Sequence, residues 1–414
     1  MKVRIHRGAN QIGGSCIEVE CGGKRIVLDV GLPLNVVAPE DEELPDVRGF
    51  KSPDSSLLGV LISHPHQDHY GLVGRLTRDI SILIGAAAQR ILESASLFTG
   101  DNVAFPNVIH LANKRPIGVG PFTVTPFLMD HSAFDSYAVL VEGDGKRLFY
   151  TGDLRAHGRK GSLFHRLAAN PPSKVDVLLM EGTTLGRADT GEGFLTESDI
   201  ETEMVQVFRQ VHGMALVWCS GQNIDRLVTV FRACVRAGRQ FIVDMYTAEI
   251  LRATENPSIP QAGWDQIRVF LPTSQKVRIV REKAFAVANR YRRKRIYPED
   301  LKAAASRSVM LFRPSMMRDL ETADCLKGAG LVYSMWDGYL KEPRLQSFLE
   351  QLGKFRIPIV KCHTSGHAPA KDLQALRNAF SEAVVVPIHT EHPGRFVELF
   401  GKAKIHKDGE WWDV

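Results

Sequence analysis

His64-Pro65-His66-Gln67-Asp68-His69 follows the apolar run Leu57–Ile62 and leads into Tyr70-Gly71-Leu72. Three imidazoles and a carboxylate in one short loop are costly to crowd together unless a cation takes up their lone pairs and charge. Neutral imidazole and carboxylate are the usual ligands of zinc. His64 and His66 alternate, so in an extended segment both point the same way. Asp68 and His69 then turn toward a second position, a layout that suits two adjacent metals better than one. A lone His-x-His is a weak signal; His-x-His-x-Asp-His directly after a strand is a strong one.

Upstream of this loop the chain reads as hairpins. Ile17 and Val19 alternate with Glu18 and Glu20, Cys21-Gly22-Gly23-Lys24 makes a turn, and Arg25–Val30 returns with Asp29 at its exit. Downstream, Ser136–Glu142 turns at Gly143-Asp144-Gly145 and returns through Lys146–Thr151 to Gly152-Asp153. Val175–Met180 is a short apolar strand that ends in Glu181-Gly182. From Thr196, which with Asp199 resembles a capping box, strands and helices alternate. The strands are Met214–Cys219, Gln240–Val243, Ile267–Leu271, Ser308–Phe312 and Leu331–Met335. Helices start at Asn223, near Ala248, at Ser274 (a long one) and at Met316. Such alternation indicates a mostly parallel sheet with helices on both faces. The last quarter brings back ligand-type residues. Ile357–Cys362 leads into His363-Thr364-Ser365-Gly366-His367, a helix follows from Ala370, and Val384–Pro387 leads into Ile388-His389. The tail 405–414 reads as a small hairpin around Asp408-Gly409.

With 414 residues the chain is long enough for two domains, and 44% hydrophobic with 24% charged residues is the composition of an ordinary globular protein. No apolar run is long enough to span a bilayer, and the start, 1–6, reads as a strand and not a signal peptide. Six scattered cysteines without a Cys-x-x-Cys argue for reduced thiols in a cytoplasmic protein and against a disulfide framework. A net charge of +5 permits a polyanionic partner without demanding one.

These residues together resemble the metallo-β-lactamase fold in its β-CASP form, the family that includes ribonuclease J and the endonuclease of messenger-RNA 3′ processing. Asp29 in Leu28-Asp29-Val30-Gly31 matches the first motif, His64, His66, Asp68 and His69 the second, His131 in Asp130-His131-Ser132 the third, and Asp153 the fourth. Glu181, His367 in Ser365-Gly366-His367-Ala368 and His389 match the three motifs particular to the β-CASP form, and Gln11-Ile12-Gly13-Gly14-Ser15-Cys16 is similar to the family's opening. After the last histidine the family commonly has Gly-Glu, whereas this chain has Thr390-Glu391.

The resemblance implies an α/β fold: an αββα sandwich (1–193 and 347–414) with an inserted β-CASP domain of parallel-sheet α/β type (194–346). It also implies a zinc-dependent nuclease that hydrolyses phosphodiesters of RNA, with single-stranded DNA as a second substrate class and manganese as an alternative to two Zn²⁺. By carry-over, His64, His66 and His131 hold one metal and Asp68, His69 and His389 the other, with Asp153 bridging. Asp68 also orients the attacking water. Asp29 lies behind the ligands and anchors their loop. His367, held by Glu181, is the general acid. Ser365, Gly366, Ser220, Asn223 and Arg226 contact substrate phosphates. A homodimer is compatible with the family, and nothing implies a membrane partner.

Each role has a plainer alternative. Alone, His131 reads as a capping or core histidine, His367 as a structural one in a Ser-Gly turn, and Asp29 as a strand-end turn. Ser220 and Asn223 can simply cap a helix. The basic run Tyr291-Arg292-Arg293-Lys294-Arg295, with Arg281, Lys283 and Arg290 on the same expected helix, is either a solvated charged face or a patch that tracks a nucleic-acid backbone. For the whole chain the competing functions are a small-molecule hydrolase of thioesters or lactones and a catalytically silent scaffold in a processing complex. The large, regular insertion argues against the first and the complete ligand set against the second.

Overall fold

Strands of alternating inward and outward apolar residues build the first unit. The computed structural model describes every residue except 37–38, 101–102, 104 and 187–192. Its first eleven strands are β1 (Lys2–Arg7), β2 (Cys16–Cys21), β3 (Lys24–Leu28), β4 (Leu57–Leu61), β5 (Ile82–Gly85), β6 (Val108–Leu111), β7 (Ile117–Val119), β8 (Phe122–Leu128), β9 (Tyr137–Gly143), β10 (Lys146–Tyr150) and β11 (Val177–Glu181). Six more follow: β12 (Ala215–Trp218), β13 (Gln240–Asp244), β14 (Ile267–Phe270), β15 (Ser308–Leu311), β16 (Gly330–Tyr333) and β17 (Ile359–Lys361). β18 (Val384–Ile388) and β19 (Trp411–Asp413) close the chain.

Two compact units emerge: Met1–Leu92 with Asn102–Phe194 and Gly366–Val414, and Glu93–Asp101 with Leu195–Ser365. The first holds two sheets, ordered β19-β1-β2-β3-β4-β5-β6 and β18-β11-β10-β9-β8-β7. Ile17, Val19, Ile26 and Leu28 from the first sheet meet Val139, Val141, Leu148 and Leu179 from the second in one buried cluster. The intervening residues face outward under helices. Val27 packs with Ala88 and Leu92 of the helix Ala86–Thr99. Ala138, Leu140 and Leu178 pack with Phe164 of Gly161–Ala169 and with Leu373 and Leu376 of Ala370–Ala379. Period-two alternation with both faces apolar gives helices outside two stacked sheets, the αββα sandwich that the resemblance implies.

The second unit is one sheet, ordered β14-β13-β15-β12-β16-β17, in which every pairing is parallel. β12, β15 and β16 are buried throughout, as expected of a parallel sheet covered on both faces. Helix Glu197–Gln210 starts at the capping box of Thr196 and Asp199.

Three expectations change. The inserted unit ends at Ser365, beyond the expected 346, because β17 adds to its sheet beside β16. The long helix expected from Ser274 is instead Thr273–Arg281, Phe285–Arg290 and a 3₁₀ turn, Arg292–Lys294. Lys283 adopts φ +52°, and the amide of Ala284 closes onto the carbonyl of Ile279 at 2.9 Å, a left-handed helix stop. The tail is no hairpin. β19 pairs antiparallel with β1, Val3 opposite Trp412, and Trp412 is buried there.

In the first unit β3, β4, β10, β11 and β18 deliver their carboxyl ends to the segments that carry Asp29, His64, Asp153, Glu181 and His389. The segment after β3 locks the metal-type loop by main-chain bonds: Val30 N donates to His69 O (2.8 Å) and Leu32 N to Gln67 O (2.9 Å). Gly31 lies so close to this loop that an added Cβ would sit 1.7 Å from the carbonyl oxygen of Asp68. Backbone cannot swing aside as a side chain can. Gly31→Ala is therefore expected to cost about 1–3 kcal/mol and to loosen the loop, which thermal melting with and without added divalent metal would read.

Candidate metal centre

Asp29 is the buried post around which the centre is built. It is fully buried at φ +60°, a conformation non-glycine residues rarely adopt. One carboxylate oxygen accepts from Ser63 N at 2.7 Å. The other accepts from Ser63 Oγ (2.7 Å) and from the Tyr150 hydroxyl, and faces His69 Nδ1 at 2.7 Å. With Nδ1 turned to Asp29, the Nε2 of His69 points into the site, the arrangement by which a carboxylate behind a histidine fixes a metal ligand.

The ring positions follow from the loop's backbone. His66 is extended (φ −99°, ψ 143°) and the short helix Gln67–Tyr70 follows, so His64 and His66 face one position and Asp68 and His69 another. His64, His66 and His131 form a triangle with ring centroids 4.7–4.9 Å apart. His131 comes from the turn after β8, held by Asp130, which accepts from Gly158 N at 2.7 Å. Asp68 lies 3.2 Å from His389 Nε2, and Asp153 Oδ2 lies 3.1 Å from His69 Nε2 and 3.7 Å from His64 Nε2. His389 sits at φ +50° just past β18, its amide bonded to Gly8 O at 2.7 Å.

Three sets of candidate ligand atoms lie within 4.8 Å of one another: His64, His66 and His131; Asp68, His69, Asp153 and His389; and Asp153, Glu181, His367 and His389. Asp153 belongs to two of them. All seven side chains expected to hold metal thus converge in the first unit.

The electrostatics fit a divalent pair. Burial, then repulsion from neighbouring rings, holds His64 and His131 well below the ordinary imidazole value, and burial pushes His66 down to about 4. These rings are neutral at pH 7, as metal ligation requires. Burial opposes charge on Asp153 too, but the surrounding histidines outweigh it and hold its carboxyl well below the usual range. His64 Nε2 and Asp153 Oδ1 are buried without a hydrogen-bond partner among the described residues. Orphaned lone pairs of this kind are costly unless something positive accepts them.

His367 lies at the margin, with 23% of its side chain exposed. Its Nδ1 is 3.3 Å from Glu181 Oε1 and 3.7 Å from Asp153 Oδ2. Glu181 is fully buried and fixed by the amides of Leu154 (3.1 Å) and Thr183 (3.0 Å). Burial disfavours the charged ring, but Glu181 and then Asp153 overcome this and push His367 up to about 9.

Sequence reasoning missed the residues that orient this set. Ser63 and Tyr150 bond Asp29, and Thr183 Oγ1 lies 2.8 Å from His389 Nδ1. None carries a motif; only the positive φ of Asp29 and His389 marks the local backbone as unusual.

The residues expected to contact phosphates have local partners of their own. Gly366 lies against His131, where an added Cβ would meet Ser132 Oγ at 2.8 Å, and Ser365 beside it is half-buried. Asn223 caps helix Ile224–Arg236 by accepting from Arg226 N, and Ser220 Oγ accepts from Gln222 N at 3.2 Å. Arg226 has another task. It is fully buried, with its guanidinium on Glu197 at 3.0 and 3.1 Å and on the Ser334 hydroxyl. Sequence could not show this, because Glu197 lies one helix earlier. Arg226→Met strands the Glu197 charge and is expected to cost about 3–5 kcal/mol, read as a lower denaturant midpoint.

Residues 25–219 match the model of the Beta-lactamase superfamily domain. Ribonuclease J of Helicobacter pylori is 24% identical over 251 residues, 59% of this chain but 36% of that protein, so the match spans about a third of that relative's length. Ribonuclease J 2 of Streptococcus pyogenes is 22% identical over 409 residues, 97% of this chain and 71% of that protein. A crystal structure of a protein of unknown function from Enterococcus faecalis V583 superposes with a TM-score of 0.79 at 21% identity, covering 99% of both chains. These likenesses bear out the resemblance carried by the motifs. No helix among the described residues is long and apolar enough to cross a membrane.

Proposed function

We propose that this chain, built on the metallo-β-lactamase fold and related to ribonuclease J, is a metal-dependent ribonuclease that hydrolyses phosphodiester bonds. One observation carries the reading: Asp153 Oδ2 lies between the two ligand sets, 3.7 Å from His64 Nε2 and 3.1 Å from His69 Nε2, and the His367–Glu181 pair stands at their margin. His64, His66 and His131 would hold one divalent cation and Asp68, His69 and His389 a second, with Asp153 placed within reach of both sets. The donor set of five imidazoles and two carboxylates suits zinc, with manganese as the alternative. Such a pair neutralises the phosphate and supplies a nucleophile from water at neutral pH.

The chain's own residues do the rest. Asp29, Ser63 and Thr183 fix the rings of His69 and His389. Asp68, more exposed than His389 beside it, orients the attacking water. His367 is charged because Glu181 and Asp153 flank its Nδ1, which leaves the Nε2 proton for the departing 3′-oxygen. A silent scaffold would not retain the complete ligand set, and a lid for a small substrate would not need an inserted six-stranded unit.

The test is metal analysis of the purified chain followed by incubation with end-labelled RNA and single-stranded DNA, with and without chelator. RNA cleavage that chelation abolishes and zinc or manganese restores is the expected result. A metal-loaded protein inert toward RNA would end the reading. Fragments from one end mean exonuclease, internal fragments endonuclease.

A further inference from the structure

The basic run at 291–295 is not a plain solvated face. Tyr291 is buried, and its hydroxyl donates to Glu249. Glu249 also binds Arg252 at 2.9 Å and Arg290. Around this anchor lies a hollow of about 220 Å³ lined by Arg252, Arg290, Arg293 and Lys294, with no acidic residue among its lining. One carboxylate thus serves two guanidinium groups from behind. Arg293 has no ion pair among the described residues, and Lys294 reaches only the exposed Asp265 at 3.4 Å and the Trp264 carbonyl at 3.1 Å. The hollow is therefore net cationic, and its size suits a phosphodiester group better than a whole nucleotide.

A second hollow of about 430 Å³ opens on the other side of the 261–266 loop. Trp264 and Phe231 wall it, their rings 5.2 Å apart and edge to face. Its one acid, Glu201, is neutralised by Arg232 (3.3 Å) and Arg236 (2.9 Å). Gly263 and Gln261 face the basic hollow while Trp264 faces the aromatic one. A cationic recess and an aromatic one separated by a few residues are the two components with which proteins hold an unpaired strand: charge for the backbone and a ring face for the base.

We propose that these two hollows form a strand-binding site on the inserted unit, taking a phosphodiester group of single-stranded RNA in the basic hollow and a base in the aromatic one. The choice of RNA rests on the ribonuclease reading; the cationic and aromatic character does not. An acidic protein partner would be served by the basic hollow but leaves the aromatic one unexplained.

The experiment measures fluorescence anisotropy of a labelled single-stranded oligouridylate with the full chain in chelator, so that binding is read without cleavage. Arg293→Glu with Lys294→Glu is expected to weaken binding at least about tenfold and to flatten the dependence of log affinity on log salt by about 0.7, the share of one phosphate on a single strand. Trp264→Ala should weaken binding about tenfold with the salt slope kept. Arg293→Glu alone, at an exposed and unpaired side chain, keeps the test alive if Trp264→Ala lowers the melting temperature. Parent-like affinity in all variants overturns the site, as does a change in sedimentation with RNA binding intact, which would assign the hollows to contact between copies. A parent that cleaves RNA while the variants bind it equally well removes this site alone. A parent that neither binds nor cleaves RNA removes the ribonuclease reading with it.

Discussion

His367→Ala lowers RNA turnover by about 10²–10⁴-fold, the usual worth of a positioned general acid, while both cations stay bound. The ring is 23% exposed, its Nδ1 faces Glu181 and Asp153, and it is not among the seven side chains proposed to hold the cations. The sign of the pH effect follows. The acid form is the donor, so activity is retained below the pKa of His367 and lost as pH rises through it. Without cations that pKa is about 9. Bound cations would oppose the charge on His367 and lower that value, so the alkaline limb is expected below about 9. The alanine variant loses that limb. Single-turnover rates across pH, with metal content measured on the same samples, check both points. An unchanged rate at full metal loading would remove His367 from the chemistry, and metal loss in the variant would make it a ligand.

The metal loop was legible because its information is local. Imidazole spacing, an extended His64–His66 segment and a turn at Gln67 lie within six residues and fix where each ring points. The hairpin at Gly22-Gly23 and the capping box at Thr196 are equally local, and both appear as read. The misread features depend on partners far away in the chain. β17 is three exposed residues with no pattern of their own, and only pairing with β16 assigns them to the inserted sheet. β19 needs β1, some four hundred residues earlier, to become a strand. Arg226 looks like a phosphate ligand at a helix start until Glu197 is seen to hold it. The break at Lys283 is different. A lysine at positive φ carries no sequence signal, and it divides what composition presents as one basic helix.

Asp153→Asn is expected to have the widest effect, because this carboxylate lies between the two proposed ligand sets, 3.7 Å from His64 Nε2 and 3.1 Å from His69 Nε2. The amide keeps the shape and removes the charge. The His64 set would then offer a cation only neutral rings, and the other set would keep a single carboxylate, Asp68. Turnover should fall by at least about 10³-fold, the several kcal/mol of charge stabilisation that metals contribute. Stability separates loss of metal from loss of fold. A ligand that binds only the native state adds about 2.7 kcal/mol at a hundred times its dissociation constant, so the parent melts higher as zinc is added. The variant should melt near the metal-free parent and respond little to zinc. His69 supplies an internal control. Burial opposes its charge, but Asp153, Asp29 and Asp68 together hold its pKa well above the ordinary value in the metal-free chain. Losing Asp153 lowers it, so the metal-free variant gains less stability than the metal-free parent as pH falls from the raised pKa of His69 to the ordinary imidazole value. A variant that still binds two cations and melts like the loaded parent would show that Asp153 does not bridge them, and the centre would have to be redrawn around Asp68.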